Sequence, residues 1–299
     1  MIIADDIVVE LDKILTQASG FERDGWFQIN GHTEHLDISQ NSLEGSLFSF
    51  DYRNKKILHF TNLNSALAIW GSKYIRSSQL STLADPNELV HSLNLISQNH
   101  TKIDTLKEHT FVACFTPTVE GKPLLDYNYH WENYGNNNKG IALEFDIIRT
   151  PLYPNFYSLN VNYIESSEQN NLLKHLKNNV ADFITLKALI PLLTAFKQPK
   201  FVPEEEIRIV TQYPRELFHI EDLADFNLDF QMDANNKFQY YVKLPFLFAN
   251  ENDNSDPLLK LRKVYFGHDS GLNDGRELIN RFFIPECQKC DIRFEFLEM

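Results

Sequence analysis

Apolar positions recur at helical spacing through residues 1–20, where Ile7, Val8, Leu11, Ile14 and Leu15 share a face and Gly20 supplies a stop. Residues 21–50 are turn-rich and show no period. The pattern then tightens into Lys56-Ile57-Leu58-His59-Phe60-Thr61, a run with the length and composition of a strand. Asn62 or Asn64 caps a short helix, Ser65 to Trp70, ended by Gly71. Tyr74-Ile75-Arg76 reads as a second short strand, and Asp85-Pro86 opens another helix. Phe111 to Thr116 and Gly140 to Phe145 read as buried strands, separated by a polar aromatic stretch from Tyr127 to Asn138. The clearest helix runs from Leu172 to about Ala195 and is interrupted at Pro191. Strand-like runs follow at Glu206–Val210, Gln239–Leu244 and Lys263–Gly267, then a helix (Asp274 to Phe283) and a last strand (Asp291 to Leu297). Short strands among irregularly placed helices predict an α+β fold rather than a regular doubly wound sheet.

Composition narrows the function more than the fold. The chain has 299 residues with 28 basic and 41 acidic side chains, a formal charge of −13. That balance disfavours a nucleic-acid partner, whose phosphates need Lys and Arg. No stretch reaches the ~18 apolar residues of a membrane helix, and the N-terminus lacks the basic start and apolar run of a secretory signal. Three cysteines make no disulfide framework and fit a reducing compartment. The expectation is a protein made in a cytoplasm that has no membrane partner.

Candidate chemistry comes down to a few acids. Cys287-x-x-Cys290 is half a metal motif with no second half, and His32 and His35 read as surface histidines, so no metal is expected. The glycine signatures of dinucleotide-fold dehydrogenases, P-loop nucleotidases and serine hydrolases are missing. Pro203-Glu204-Glu205-Glu206-Ile207-Arg208 remains, with three acids at the mouth of a strand. In extended geometry Glu204 and Glu206 face one side, about 7 Å apart, and Glu205 the other. Such a pair suits chemistry that stabilises a sugar cation and deprotonates an acceptor, as glycoside-cleaving carboxylates do. On its own, a Glu run before a strand is an ordinary solvated entry.

The surrounding motifs carry a resemblance. His59-Phe60-Thr61 ends a strand as His-x-Thr and leads through a helix to Tyr74-Ile75. Ala84-Asp85-Pro86-Asn87-Glu88, Cys114-Phe115-Thr116, Trp131-x-x-Tyr134 with Lys139-Gly140, and Lys197…Phe201-x-x-Glu204-x-Glu206-x-Arg208 follow in order. Over roughly residues 55–270 this resembles a widespread bacterial domain family regarded as a divergent branch of the ADP-ribosyltransferase superfamily. That branch includes secreted effectors, among them a Legionella enzyme acting on host glutamate dehydrogenase. The chain departs from the family pattern at Ala84, where Asn is usual, at Thr116, where Ser is usual, and at Asn138, where His is frequent.

The resemblance implies an α+β fold with a split mixed or antiparallel sheet and flanking helices. It implies an ADP-ribosyltransferase-like catalytic domain (51–299); the helical and turn-rich residues 1–50 precede the first motif and match none of the family pattern, so they are expected to be an extension that recognises a target. The implied reaction cleaves NAD, used as substrate, and transfers ADP-ribose to a protein, with arginine as acceptor. A host metabolic enzyme such as glutamate dehydrogenase is then the partner, after translocation into a host cell. Glu206 would stabilise the sugar cation and Glu204 would prepare the acceptor guanidinium, with Glu132, in the aromatic stretch, as a rival acid. His59, Phe60, Thr61, Tyr74, Thr116, Trp131 and Tyr134 are the implied NAD-binding residues, although packing serves equally for Trp131. Glu144, which alternates with Leu143 and Phe145, is expected to face solvent. The alternatives are an NAD glycohydrolase, with water as acceptor, and a non-catalytic binding module on the same fold.

Overall fold

The structure is a computed structural model that describes residues 27–29, 36–38, 55–83, 89–96, 103–148, 156–178, 190–212, 228–232, 238–251, 258–270 and 274–297. The helical pattern of residues 1–20, His32, His35 and the Asp85-Pro86 helix start lie outside them. In the first fifty residues β1 (Phe27–Ile29) pairs antiparallel with β2 (Leu36–Ile38), two strands that the mixed pattern there did not suggest.

The main sheet is built from β3 (Ile57–Thr61), β4 (Tyr74–Gln79), β5 (Thr110–Pro117), β6 (Ile141–Ile147), β7 (Phe156–Asn160), β10 (Ile207–Gln212), β11 (Leu228–Met232), β12 (Phe238–Leu247), β13 (Leu259–Phe266) and β14 (Arg293–Phe296). A separate parallel pair joins β8 (Asn162–Tyr163) to β9 (Phe196–Lys197). Six strands close a ring, because β12 pairs β13, β13 pairs β6, β6 pairs β3, β3 pairs β5, β5 pairs β4 and β4 pairs β12. The fold is therefore α+β, with a closed six-stranded barrel from which β5 extends through β10 to β7.

Side-chain alternation explains why these strands read as continuous apolar runs. Ile57, Ile75, Phe111, Ala113, Phe115, Ile141, Leu143, Phe145, Val242 and Leu244 join one core, and they occupy every second position of their strands. On β3 and β6 the intervening residues, Leu58, Phe60 and Ala142, fill a second core with Tyr127 and Trp131. Strands buried on both faces lose the apolar–polar period. On β13 the inward set is Leu259 and Leu261, then Val264 and Phe266, because a bulge shifts the register between Leu261 and Lys263.

Between β3 and β4 lies a helix, Leu63–Ser72, whose first turn is capped by the Asn62 side chain bonded to the Ser65 N–H at 2.8 Å. It runs past Gly71 and ends at Lys73 in a left-handed conformation, φ 55°. Its buried residues Ala66 and Trp70 join the main core. The expected helix 172–195 is Asn171–Asn178 within the described residues, and a turn ending at 193 leads into β9. The C-terminal helical segment does not stop at Phe283. A π turn (Ile279–Phe283) carries Asp274–Leu278 into a further helix, Ile284–Lys289, with Pro285 in its first turn. No described helix is long and apolar enough to cross a membrane.

The Lys139-Gly140 motif has a steric basis. A Cβ on Gly140 would lie 2.1 Å from the carbonyl oxygen of Thr61, so only glycine lets this turn reach the end of β3.

Candidate functional site

A wedge opens where β3 and β4 part company along β5. β4 pairs with β5 only through Ser78–Val112 and Gln79–Phe111, and β3 only through Leu58–Thr116 and Ile57–Pro117. The stretch between, Ala113 to Phe115, has neither strand beside it. A cavity of about 280 Å³ occupies this gap, bounded by His59 and Phe60 of β3, Arg76 and Ser78 of β4, and Val112 to Thr116 of β5. Its inner end is closed by His130, Tyr134, Lys197, Glu204 and Glu206.

The two acids meet there by a route the extended-strand argument missed. A 3-10 helix, Pro199–Glu204, ends at Glu205, whose backbone turns left-handed at φ 42° before β10 begins. Glu204 and Glu206 therefore converge on one ammonium. Lys197 Nζ donates to Glu204 Oε2 at 2.6 Å and to Glu206 Oε2 at 2.9 Å, which holds those oxygens closer than the ~7 Å of an extended strand. Glu205 points elsewhere and pairs with Lys122 at 2.6 Å, as expected of the odd residue of the run.

Each acid has a second set of partners. Arg208, fully buried, grips Glu206 through Nε at 2.8 Å and Nη2 at 3.3 Å, and its Nη1 donates to the Thr194 carbonyl at 2.5 Å. The Tyr163 hydroxyl accepts the Glu206 N–H at 2.9 Å. Glu204 Oε1 accepts the Tyr134 hydroxyl at 3.0 Å, and its carbonyl accepts His130 Nε2–H at 2.6 Å. A carbonyl can only accept, so the His130 proton sits on Nε2.

These surroundings drive the carboxyls apart. Burial alone would raise Glu206, but the Arg208 guanidinium and Lys197 ammonium outweigh it and hold it at about 2. Burial raises Glu204 above the ordinary carboxylate range, and the Lys197 contact does not fully offset it. One acid stays ionised at any working pH, while the other is able to take up a proton.

His59 lines the same cavity, and burial lowers it to about 4 even though its ring bonds the Cys114 backbone. An unfolded histidine protonates near 6.5, so below that value the unfolded chain binds the extra proton and the fold loses stability. Melting temperature is therefore expected to fall as pH drops from 6.5 towards 4. His59→Gln should flatten that slope, and an unchanged slope in the variant would place the titration elsewhere.

Cys114 is open to the cavity although protein atoms surround its sulfur. Burial, then the charge of Glu206, pushes its thiol well above the usual range. Cys287 and Cys290 are buried on the C-terminal helix. Alkylation of the native protein should therefore occur at Cys114 alone and slowly. In Glu206→Gln it should quicken by about tenfold or more, because the thiolate is no longer opposed by a carboxylate and lies near two cations. Peptide mapping by mass spectrometry with time reads both points.

The cavity gathers His59, Phe60, Thr116, Tyr134, Glu204 and Glu206 of the expected residues. Four others are placed outside its lining. Thr61 is buried at the end of β3, and Tyr74 stacks on Tyr241 with ring centres 6.1 Å apart. Trp131 is a core residue, edge-on to Phe60 at 4.9 Å, with its indole N–H given to the Leu124 carbonyl at 3.0 Å. Glu132 sits exposed on the helix Asn128–Asn133. Glu144 is buried rather than solvent-facing, tied to Lys56 and to the Tyr265 hydroxyl, each at 2.8 Å. Among the described residues no cluster of His, Cys, Asp or Glu could hold a metal ion. Arg76, Ser78, Cys114 and His130 join the lining from outside the expected set, brought together only by strand pairing and packing.

Comparison with known proteins adds one match. A family described as "Protein of unknown function (DUF2971)" matches residues 130–209. That segment contains His130, Tyr134, Lys197, Glu204 and Glu206, the inner end of the cavity, and Arg208 behind them. Searches of curated proteins and of solved structures find no match.

Proposed function

We propose that the protein cleaves NAD at the bond between nicotinamide and ribose and passes the ADP-ribosyl group to a protein acceptor, with arginine preferred. The observation that carries this reading is the pair of acids at the inner end of the wedge, one held ionised and the other raised. As the C–N bond breaks, nicotinamide leaves with the bonding electrons and positive charge develops on the ribose. A preorganised, permanently ionised Glu206 favours that charge. The acceptor nitrogen then bonds to the anomeric carbon and gives up a proton, and Glu204 is the base placed to take it. Guanidinium is fully protonated in water and needs such a base to become a nucleophile.

Other features fit this use. His59 is neutral and faces the cavity from β3, so it can bond a ribose hydroxyl without adding charge, and Thr116 is a buried hydroxyl in the same wall. Lys197 bridges the two acids, so a cationic nitrogen is accommodated against both of them in this fold, which is in keeping with a guanidinium acceptor. Residues 1–50 would extend the reach to a target, and the effector branch that the chain resembles suggests a host enzyme such as glutamate dehydrogenase as that target.

Two assays test the reading. Nicotinamide release from NAD by the purified protein is expected, as is transfer of label from NAD to proteins of a lysate. Release without transfer would mean that water is the acceptor, and absence of both would leave a binding module. Glu204→Gln is expected to lose protein labelling while retaining slow release, since water needs less help once the cation forms. Equal loss of both activities would give Glu204 a part in the first step.

A further inference from the structure

The outer wall of the cavity carries a charge that the acids do not use. Arg76 and Ser78 stand two residues apart on β4, so they share a face, and both line the cavity. On β12, Lys243 lies directly opposite Arg76, and Tyr241 opposite Ser78. Like charges facing each other across an antiparallel pair repel. Asp229 on β11 answers one of them, accepting Lys243 Nζ at 2.9 Å and the Tyr241 hydroxyl at 3.0 Å. Arg76 instead lies over the Tyr241 ring, 4.6 Å from its centre, and donates to the side-chain carbonyl of Gln231. Neither contact neutralises it, and among the described residues no carboxylate pairs with it. The side chain is exposed, and one Gln231 contact leaves most of its five donors for something else.

We propose that Arg76, with Ser78 beside it, forms an anion subsite for the phosphoryl oxygens of the ligand whose other end reaches Glu206. A guanidinium is planar and binds phosphate oxygens in pairs, and here Tyr241 and Gln231 fix its plane in advance. The inner cations cannot serve, because Lys197 and Arg208 are committed to Glu204 and Glu206, and a phosphate there would meet two carboxylates. The spacing suits a sugar phosphate. Ser78 pairs with Val112, while Cys114, two residues or about 7 Å further along β5, neighbours Glu206. The ligand class is thus a compound carrying phosphate at one end, and a ribosyl group at the other end rests on the function proposed above. That the phosphate is the diphosphate bridge of a dinucleotide rests on the function proposed above.

Calorimetry at fixed low ionic strength, with inorganic pyrophosphate, ADP-ribose and nicotinamide as separate probes, tests this. Arg76→Ala should weaken pyrophosphate and ADP-ribose by about tenfold or more, the worth of a charge-assisted bidentate contact, with partial recovery in Arg76→Lys. Nicotinamide affinity should not change. Arg76→Gln, which keeps the chain length, supplies a second variant should the alanine form melt early. Undiminished binding of pyrophosphate and ADP-ribose in a folded Arg76 variant would overturn the subsite, as would failure of the parent protein to bind pyrophosphate at millimolar concentration. If pyrophosphate binding depends on Arg76 but ADP-ribose binds no more tightly than pyrophosphate, the anion subsite stands and the dinucleotide reading falls.

Discussion

Glu206→Gln is expected to reduce nicotinamide release by about a hundredfold or more and to abolish protein labelling, because it removes the charge that the developing sugar cation needs. The substitution preserves shape but not the local balance of charge. Glu206 is 6% exposed and takes bonds from Arg208, Lys197 and Cys114, so glutamine leaves a buried guanidinium without its counter-ion. Removing one partner of a buried ion pair costs about 3–5 kcal/mol. Rates must therefore be measured on protein shown to be folded at the assay temperature, by thermal denaturation of the same sample. The discriminating comparison is Glu132→Gln, whose exposed side chain lies outside the cavity lining and whose loss should leave both activities near the parent value. Full activity in a folded Glu206→Gln would remove the central role assigned to this residue.

The second large effect concerns Arg208. It is completely buried, and Arg208→Met is expected to destabilise the fold by about 3–5 kcal/mol by taking from the buried Glu206 its guanidinium partner, with Lys197 left to oppose its burial. The pH dependence identifies the cause. A carboxyl held at about 2 in the fold and near 4.5 in the unfolded chain contributes stability that is complete above 4.5 and lost as pH falls from there towards 2. In Arg208→Met the main cation opposing burial is gone, the folded carboxyl rises, and that loss should shrink or reverse. Urea titrations of the parent and the variant at several acidic pH values measure it. A variant that keeps the parent's full acid sensitivity would show that another carboxylate is responsible.

How much of this was legible in the sequence depended on range. Strands β3, β5, β6 and β10 announced themselves as apolar runs because the walls they form are packed on both sides, and position along the chain sufficed to place them. The mixed run of β7, Phe156-Tyr157-Ser158-Leu159-Asn160, gave no such signal; it is defined by its pairing with β10. Gly71 looked like a stop, yet the helix continued because Lys73 could take the left-handed cap, bonding its N–H to the Ile69 carbonyl. Pro285 fell at a helix start that only the preceding π turn makes possible. At the site, the acids were readable as a pair and their convergence on one side was correct. The means was not, since a left-handed Glu205 does what an extended strand was expected to do. His130 and Arg76 had no local mark, and Cys114 was marked only as part of a motif. Arg76 and Cys114 reach the cavity because strands pair for two residues and then separate, and His130 arrives on the helix Asn128–Asn133.

The bulge in β13 has a further consequence, for the tolerance of this gene to small deletions. Arg262 is the supernumerary residue, without a partner opposite it on β6, while Leu261 faces Phe145 and Lys263 faces Glu144. Losing that single codon would leave Leu-Lys-Leu-Lys-Val-Tyr-Phe, a strict alternation that keeps Leu259, Leu261, Val264 and Phe266 inward. It would sacrifice only the 2.5 Å contact of Arg262 with Asp146 and some local twist. The same loss within β6, which has no spare residue, would turn half of that strand inside out, exchanging buried Ile141 or Phe145 for a neighbour of the opposite face. Two adjacent strands of one barrel thus differ sharply in how they absorb the same genetic accident.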